Sequence, residues 1–185
     1  MVVPLRFTQA ARVLQVGGVV ACPTEAVWGL SCDADNEEAV ERLLALKDRP
    51  RAKGLILVGS SMAQFAGLLG GLDSHLLKKL KMSWPGPNTW LVPHRGRVPD
   101  WIHGEHDTVA IRVTAHPGMY ALCEAFGAPL VSTSANPSGC PAPTERFQVI
   151  KFFGDGLDAV LPGSVGAAAS PSTIRDLHTD EIVRP

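Results

Sequence analysis

The chain has 185 residues, 45% of them hydrophobic and 19% charged, a balance that fits one compact domain over 1–185 and excludes a disordered chain. A formal net charge of −1 supplies no global field toward nucleic acid or anionic lipid, so any such attraction has to be local. Met1-Val2-Val3-Pro4-Leu5-Arg6 carries no leader pattern and no apolar run approaches membrane-spanning length, so a cytoplasmic protein with no membrane contact is expected. Cys22, Cys32, Cys123 and Cys140 lack Cys-x-x-Cys spacing and read as free thiols packed as small hydrophobes.

In chain order, Thr8 to Gln15 reads as a short helix with Thr8 as its cap and Gly17 as its stop. Val19 to Cys22 is an apolar, partly β-branched run and reads as a buried strand, which Pro23 ends because it lacks an N–H and holds Cys22 extended. Asn36 caps the next helix, with Glu37 and Glu38 at its positive end and Ala39, Val40, Leu43, Leu44 and Leu46 on its inner face. Pro50 forces an exit, which gathers Lys47, Arg49, Arg51 and Lys53 around a loop leading into a second buried strand, Leu55 to Val58. Ser60 or Ser61 opens a helix that Gly70-Gly71 closes, and Asp73 or Ser74 opens another through Met82. Trp84-Pro85-Gly86-Pro87 forces a rigid turn before the strand Trp90-Leu91-Val92. Residues 94–107 read as a polar surface excursion, Thr108 to Val113 as a strand carrying Arg112, and Pro117 to Gly127 as a helix with proline at its first position. Pro129 to Ser132 is a further strand, Thr144 caps a helix to Phe153, and short strands fall at Ala159-Val160-Leu161, Ser172-Thr173-Ile174 and Glu181-Ile182-Val183. Alternating strands and helices with a strand-rich end indicate an α/β domain around a mixed sheet. Several polar motifs directly follow strands, where ligands bind in open α/β sheets.

Two motifs carry chemistry. A basic cluster is ordinarily a solvated loop, but Lys47, Arg49 and Lys53 abut a proline and a glycine that fix the backbone, and Arg112 can join them from its own strand. Cations beside Ser, Thr and Asn donors are what a polyphosphate needs, and Ser132-Thr133-Ser134-Ala135-Asn136 supplies such donors. Ser-x-x-Lys, Lys-Thr-Gly and Gly-x-Ser-x-Gly signatures are missing, as are the P-loop and the dinucleotide glycine fingerprint. His103-x-x-His106 has no nearby cysteine partner and reads as a pair of surface histidines rather than half a metal site. Trp28 fits a pocket wall and a core position equally.

Together these motifs resemble the YrdC/TsaC-type threonylcarbamoyl-AMP synthases from Gly18 to Arg184. The resemblance rests on Pro23-Thr24-Glu25-Ala26-Val27-Trp28-Gly29-Leu30, Lys47-x-Arg49 with Ser134-x-Asn136, Trp84-Pro85-Gly86-Pro87, Val109-Ala110-Ile111-Arg112-Val113 and Ser172-Thr173-Ile174. It implies a single YrdC-like domain whose strongly twisted mixed sheet, flanked by helices, frames a concave cationic cleft. It implies conversion of L-threonine, bicarbonate and ATP, with Mg²⁺, to threonylcarbamoyl-adenylate and pyrophosphate. The product would pass to a transferase complex that modifies adenosine 37 of tRNA.

By the family pattern Arg49, Lys53, Thr108, Ser134 and Arg184 contact ATP, with Lys47 and Asn136 supporting the phosphates. Lys47 and Arg49 are the expected catalytic cations, and Thr24, Arg112, Ser132 and Ser172 hold threonine. Ala26, Trp28 and Gly54 stand where the family usually has Thr, Tyr and Pro, and Val58 stands where some longer relatives carry a threonine-contacting His. The amino-acid pocket is therefore expected to be built differently here. A rival reading is a non-catalytic RNA-binding module that tracks a phosphate backbone along a cationic sheet. The near-zero net charge counts against that module, while weak direct RNA binding by the enzyme remains an additional partner reading.

Overall fold

The computed structural model describes residues 3–184, so the leader reading of Met1 and Val2 lies outside it. Helix α1 spans Leu5–Gln15 behind Pro4, beginning ahead of the predicted Thr8 cap. Phe7, Ala10, Ala11 and Leu14 form its buried face, and burying Phe7 draws the first turn inward. Strand β1, Val20–Pro23, folds straight back into β2, Trp28–Ser31, as an antiparallel hairpin. The sequence reading has a loop at β2, because Gly29 interrupts the β-branched run that marks a strand.

Helix α2, Glu37–Lys47, begins as expected, with Asn36 Oδ1 accepting from the Ala39 N–H at 3.0 Å. Asp48, in the left-handed conformation, ends it. A 3₁₀ turn at Arg51–Lys53 leads into β3, Ile56–Gly59. The helix expected from Ser60 is instead a 3₁₀ turn at Met62–Phe65 followed by the single turn α3, Ala66–Leu69, since Gly67 and Gly70 weaken a longer one. Helix α4 is Ser74–Ser83, β4 is Asn88–Pro93, and the Trp84–Pro85 peptide between them is cis.

The excursion at 94–107 is not wholly superficial. It contains helix α5, Asp100–His103, whose Ile102 is fully buried and accepts from the Leu55 N–H at 2.8 Å. Strand β5, Thr108–Val113, and helix α6, Pro117–Phe126, follow the expected bounds, with Gly127 in the left-handed C-terminal position. Strand β6 is Leu130–Ser134. Helix α7, Arg146–Phe153, is capped by a reciprocal Glu145–Gln148 pair rather than by Thr144. Strands β7, Ala159–Val160, β8, Thr173–Asp176, and β9, Ile182–Arg184, complete the chain.

Among the described residues the strands form one mixed sheet in the order β7-β1-β2-β6-β3-β5-β4-β8-β9. The pairs β1·β7, β3·β5 and β4·β8 are parallel and the others antiparallel. Helices α1 and α6 cover one apolar layer containing Phe7, Leu14, Val58, Met119, Leu122 and Leu130. The larger layer, with Trp28, Leu43, Leu80, Trp90 and Ile111, lies beneath α2 and α4. Strand β6 pairs with β3 through Leu130, Val131 and Ser132 and with β2 through Thr133 and Ser134. The Ser132–Ser134 hydroxyls therefore stand where one strand changes partners. No helix of the described residues is long and apolar enough to cross a membrane.

Candidate functional site

A cavity of about 520 Å³ opens on the sheet, within the range of small-ligand sites. The hairpin turn lines it with Thr24, Glu25, Ala26 and Val27, β5 with Thr108 and Arg112, and β6 with Ser132, Thr133 and Ser134. The exit from α2 contributes Arg49 and Lys53, and the end of the chain contributes Ser172, Ile174, Val183 and Arg184. Asn136 also lines it. Every sequence-predicted site residue except Lys47 thus faces one space.

Lys47 stands behind that wall. It is 4% exposed, and its Nζ donates to the Ser134 carbonyl and, at 2.6 Å, to the Asn136 carbonyl. Lys47 thereby tethers the backbone of the Ser134–Asn136 turn and does not itself line the cavity. The cause lies in α2, because Lys47 is its last residue while the left-handed Asp48 swings Arg49 to the other side. Burial, and next the Arg49 charge, bring Lys47 down to about 8. Arg51 is drawn away too, pairing with Glu37, Glu41 and Asp100 at 2.8–2.9 Å.

The remaining cations crowd one another. Arg49 Nη2 donates to Gly54 O at 2.8 Å, while its Nε is buried without a partner. Arg184 Nη2 donates to Ser172 O at 2.9 Å. Burial, then repulsion from Arg49 and Arg112, holds Arg184 below the usual guanidinium range. Arg49 is lowered by burial as well. Arg49, Lys53, Arg112 and Arg184 face a cavity whose lining, among the described residues, includes one acidic side chain, Glu25.

That carboxylate is the residue the sequence reading missed. Glu25 is 9% exposed; its Oε2 accepts from Arg112 Nη1 at 2.5 Å, and its Oε1 accepts from Thr114 Oγ1 at 2.7 Å and the Ala115 N–H at 3.0 Å. Burial alone would raise it, but Arg112 and these hydrogen bonds outweigh burial and hold it below the usual carboxylate range. Its position directly after Pro23-Thr24 at the strand end was the available signal.

His106 is exposed and His103 half-buried, as surface histidines are. His103 and His106 both line the cavity, and His103 stacks on His94 with centroids 3.9 Å apart. Trp28 is a core residue at 1% exposure. Val58, fully buried among Met119, Cys123 and Leu130, belongs to the core and does not line the cavity. Of the departures from the family pattern, only Ala26 and Gly54 reach the cavity.

Among the described residues no His, Cys, Asp or Glu side chains group in threes or more to hold a metal. The Glu25 carboxylate is already engaged by Arg112, Thr114 and Ala115. Its hydroxyl and amide lining fits a dication that arrives on phosphate oxygens rather than one caged by protein.

The Sua5/YciO/YrdC family model, described as telomere recombination, matches residues 12–185. The chain is 56% identical over 180 residues, 97% of each chain, to the threonylcarbamoyl-AMP synthase of Stutzerimonas stutzeri (strain A1501). It is 54% identical over 185 residues, 100% of both chains, to the protein of the same name from Pseudomonas aeruginosa (strain UCBPP-PA14). P. abyssi Sua5 complexed with L-threonine matches at a TM-score of 0.90 and 34% identity, over 97% of this chain and 53% of that longer one.

Proposed function

This chain belongs to the Sua5/YciO/YrdC family, and from that premise we infer that it is a threonylcarbamoyl-AMP synthase acting on L-threonine. It joins threonine, bicarbonate and ATP into threonylcarbamoyl-adenylate and releases pyrophosphate. The product serves N6-threonylcarbamoyladenosine formation at position 37 of tRNA, through a transferase complex that takes it up. The observation that carries this reading is the crowding of Arg49, Arg112 and Arg184 around one cavity. Converging cations, with Glu25 already neutralised by Arg112, call for a polyanionic ligand beside a small carboxylate.

In the proposed reaction, threonine's amine and bicarbonate give a carbamate with loss of water. A carbamate oxygen then bonds to the α-phosphorus as the bond to the β-phosphate oxygen breaks, and pyrophosphate leaves with the electron pair. Arg49, Lys53 and Arg184 meet the phosphate oxygens, and Ser134, Asn136 and Thr108 donate or accept at the nucleotide. Arg112 holds the threonine carboxylate, with Thr24, Ser132 and Ser172 around its amine and hydroxyl. Lys47 keeps the Ser134–Asn136 turn in register for the phosphates. Mg²⁺ bound to the nucleotide would add Lewis-acid neutralisation of the leaving pyrophosphate. No protein nucleophile is needed, since positioning and preorganised charge lower the barrier.

The test is mass detection of threonylcarbamoyl-adenylate after incubation with ATP, bicarbonate and threonine, with and without EDTA. Formation that depends on all three substrates and on Mg²⁺ is expected. Absence of the adduct with every component present overturns the reading.

A further inference from the structure

We propose that Glu25 is a positioning residue for the amino-acid end of the cavity, fixing the Arg112 guanidinium in the pose that receives the substrate carboxylate. This rests on the functional reading above. Arg112 lies within β5 and is 6% exposed. A guanidinium offers its hydrogen-bond fork in one plane, so its value to a carboxylate depends on how that plane is held. Glu25 takes one edge through Nη1, while Nε stays buried without a partner. The pairing leaves part of the fork unused in a residue that lines the cavity.

Glu25 is itself held on all sides. Thr114 Oγ1 and the Ala115 N–H fix Oε1, and Thr114 Oγ1 also accepts from the His116 N–H at 3.1 Å. The backbone of the hairpin turn is strapped from the far end of the chain. Gly166 N–H donates to Thr24 O at 2.9 Å, and Ala168 N–H donates to Glu25 O at 3.1 Å. A Cβ on Gly166 would stand 2.7 Å from Glu25 O, so only glycine lets the strap lie this close. The same segment then delivers Ser172, whose hydroxyl lies 2.7 Å from that of Thr89, to the cavity. The Glu25 carboxylate thereby ties the hairpin to Arg112 and to the Thr114-Ala115 end of β5, and the Thr24 and Glu25 carbonyls tie it to the strap.

A competing role is general base toward the threonine amine. The carboxylate's hydrogen bonds and ion pair all favour its ionised form and make it a poor proton acceptor. The two roles separate in kinetics. Loss of a positioning residue weakens threonine binding and spares the chemical step once threonine saturates, whereas loss of a base lowers kcat by roughly a hundredfold or more.

The experiment compares wild type, Glu25→Gln and Thr114→Val by calorimetric titration with threonine and with ATP, by threonine KM and kcat, and by thermal melting. Gln keeps the acceptor facing Thr114 and Ala115 but turns an NH₂ toward Arg112, so the guanidinium is released. Threonine Kd and KM are expected to rise by about tenfold to a hundredfold, as for loss of a charge-assisted contact. ATP Kd and saturated kcat should stay within about threefold of wild type on the same grounds. Thr114→Val keeps the charge but loosens the carboxylate, and should weaken threonine binding less than Glu25→Gln does. It also carries the test should Glu25→Gln fail to fold. Wild-type threonine affinity in a folded variant overturns the proposal, as does a kcat loss at unchanged threonine affinity or an equal loss for ATP and threonine. A wild-type protein that binds no threonine and forms no adduct overturns the functional reading as well, whereas an active wild type with an unaffected variant overturns this proposal alone.

Discussion

Arg49 has Nη2 on Gly54 O and lines the cavity, which leaves its remaining guanidinium donors available to a ligand there. Lys53 stands exposed at the same rim. Arg49→Ala and Lys53→Ala should each weaken ATP binding by about 1.5–3 kcal/mol, the worth of a charge-assisted contact. Arg51→Ala should leave ATP affinity unchanged, because its guanidinium faces Glu37, Glu41 and Asp100. Equilibrium ATP titration of the three variants checks this pattern, and it fails if Arg51 matters as much as Arg49. At the amino-acid end, Thr24 Oγ1 already donates to Val27 O, which leaves its lone pairs for a substrate hydroxyl. A site that pairs a hydroxyl rejects an analogue lacking it far more strongly than one lacking a methyl. Serine should therefore be used much better than 2-aminobutyrate, and kcat/KM for both against threonine decides it. These cations and hydroxyls were legible because they sit in short motifs beside strand ends. Glu25 was not, since its side-chain partners lie 87–90 residues away, and no local pattern announces a pairing at that distance.

At the scale of elements, legibility followed local signals. Helix α2 is readable from Asn36 and its paired glutamates, and α6 from Pro117 and Gly127, because caps act through neighbouring backbone groups. Strand β2 and helix α5 gave no such signal. Their buried residues Trp28 and Ile102 sit in glycine-rich or polar surroundings, and only tertiary packing selects their conformations. Helix α5 matters to the site because it backs the Arg51–Lys53 turn. Gly104 follows it at φ 63°, and a Cβ there would lie 2.4 Å from Ala52 O. Gly104→Ala should thus displace the turn that carries Lys53, lowering unfolding free energy by about 1–3 kcal/mol and weakening ATP binding. Urea unfolding and ATP titration on the same variant test it. A destabilised protein with wild-type ATP affinity would mean that the turn holds its shape without α5.

At the scale of the whole molecule, the α/β class and mixed sheet were legible, but the strand order was not. Placing β8 beside β4, and β9 beyond it, brings Ser172 and Arg184 to a wall begun by Thr24 and Arg112, and no periodicity within a strand encodes its neighbour. Joining distant segments also buries charge, and Lys47 is where that has a measurable global effect. Its folded-state value is lowered from 10.5 to about 8, chiefly by burial and then by Arg49. Below about pH 8 folded and unfolded chains both carry the proton, and the buried charge opposes folding by a constant amount. Between about 8 and the unfolded value the unfolded chain binds more protons, so this group makes stability rise with pH; above both values the gain is complete. Wild type should therefore gain stability relative to Lys47→Met between about pH 7.5 and pH 9.5, by about 2 kcal/mol. Subtracting the two variants' urea-unfolding free energies at each pH cancels the cysteine and tyrosine titrations they share. A difference that stays flat across this window would place the Lys47 proton at its ordinary affinity, and the tether to Ser134 and Asn136 would then offset the whole cost of burying it.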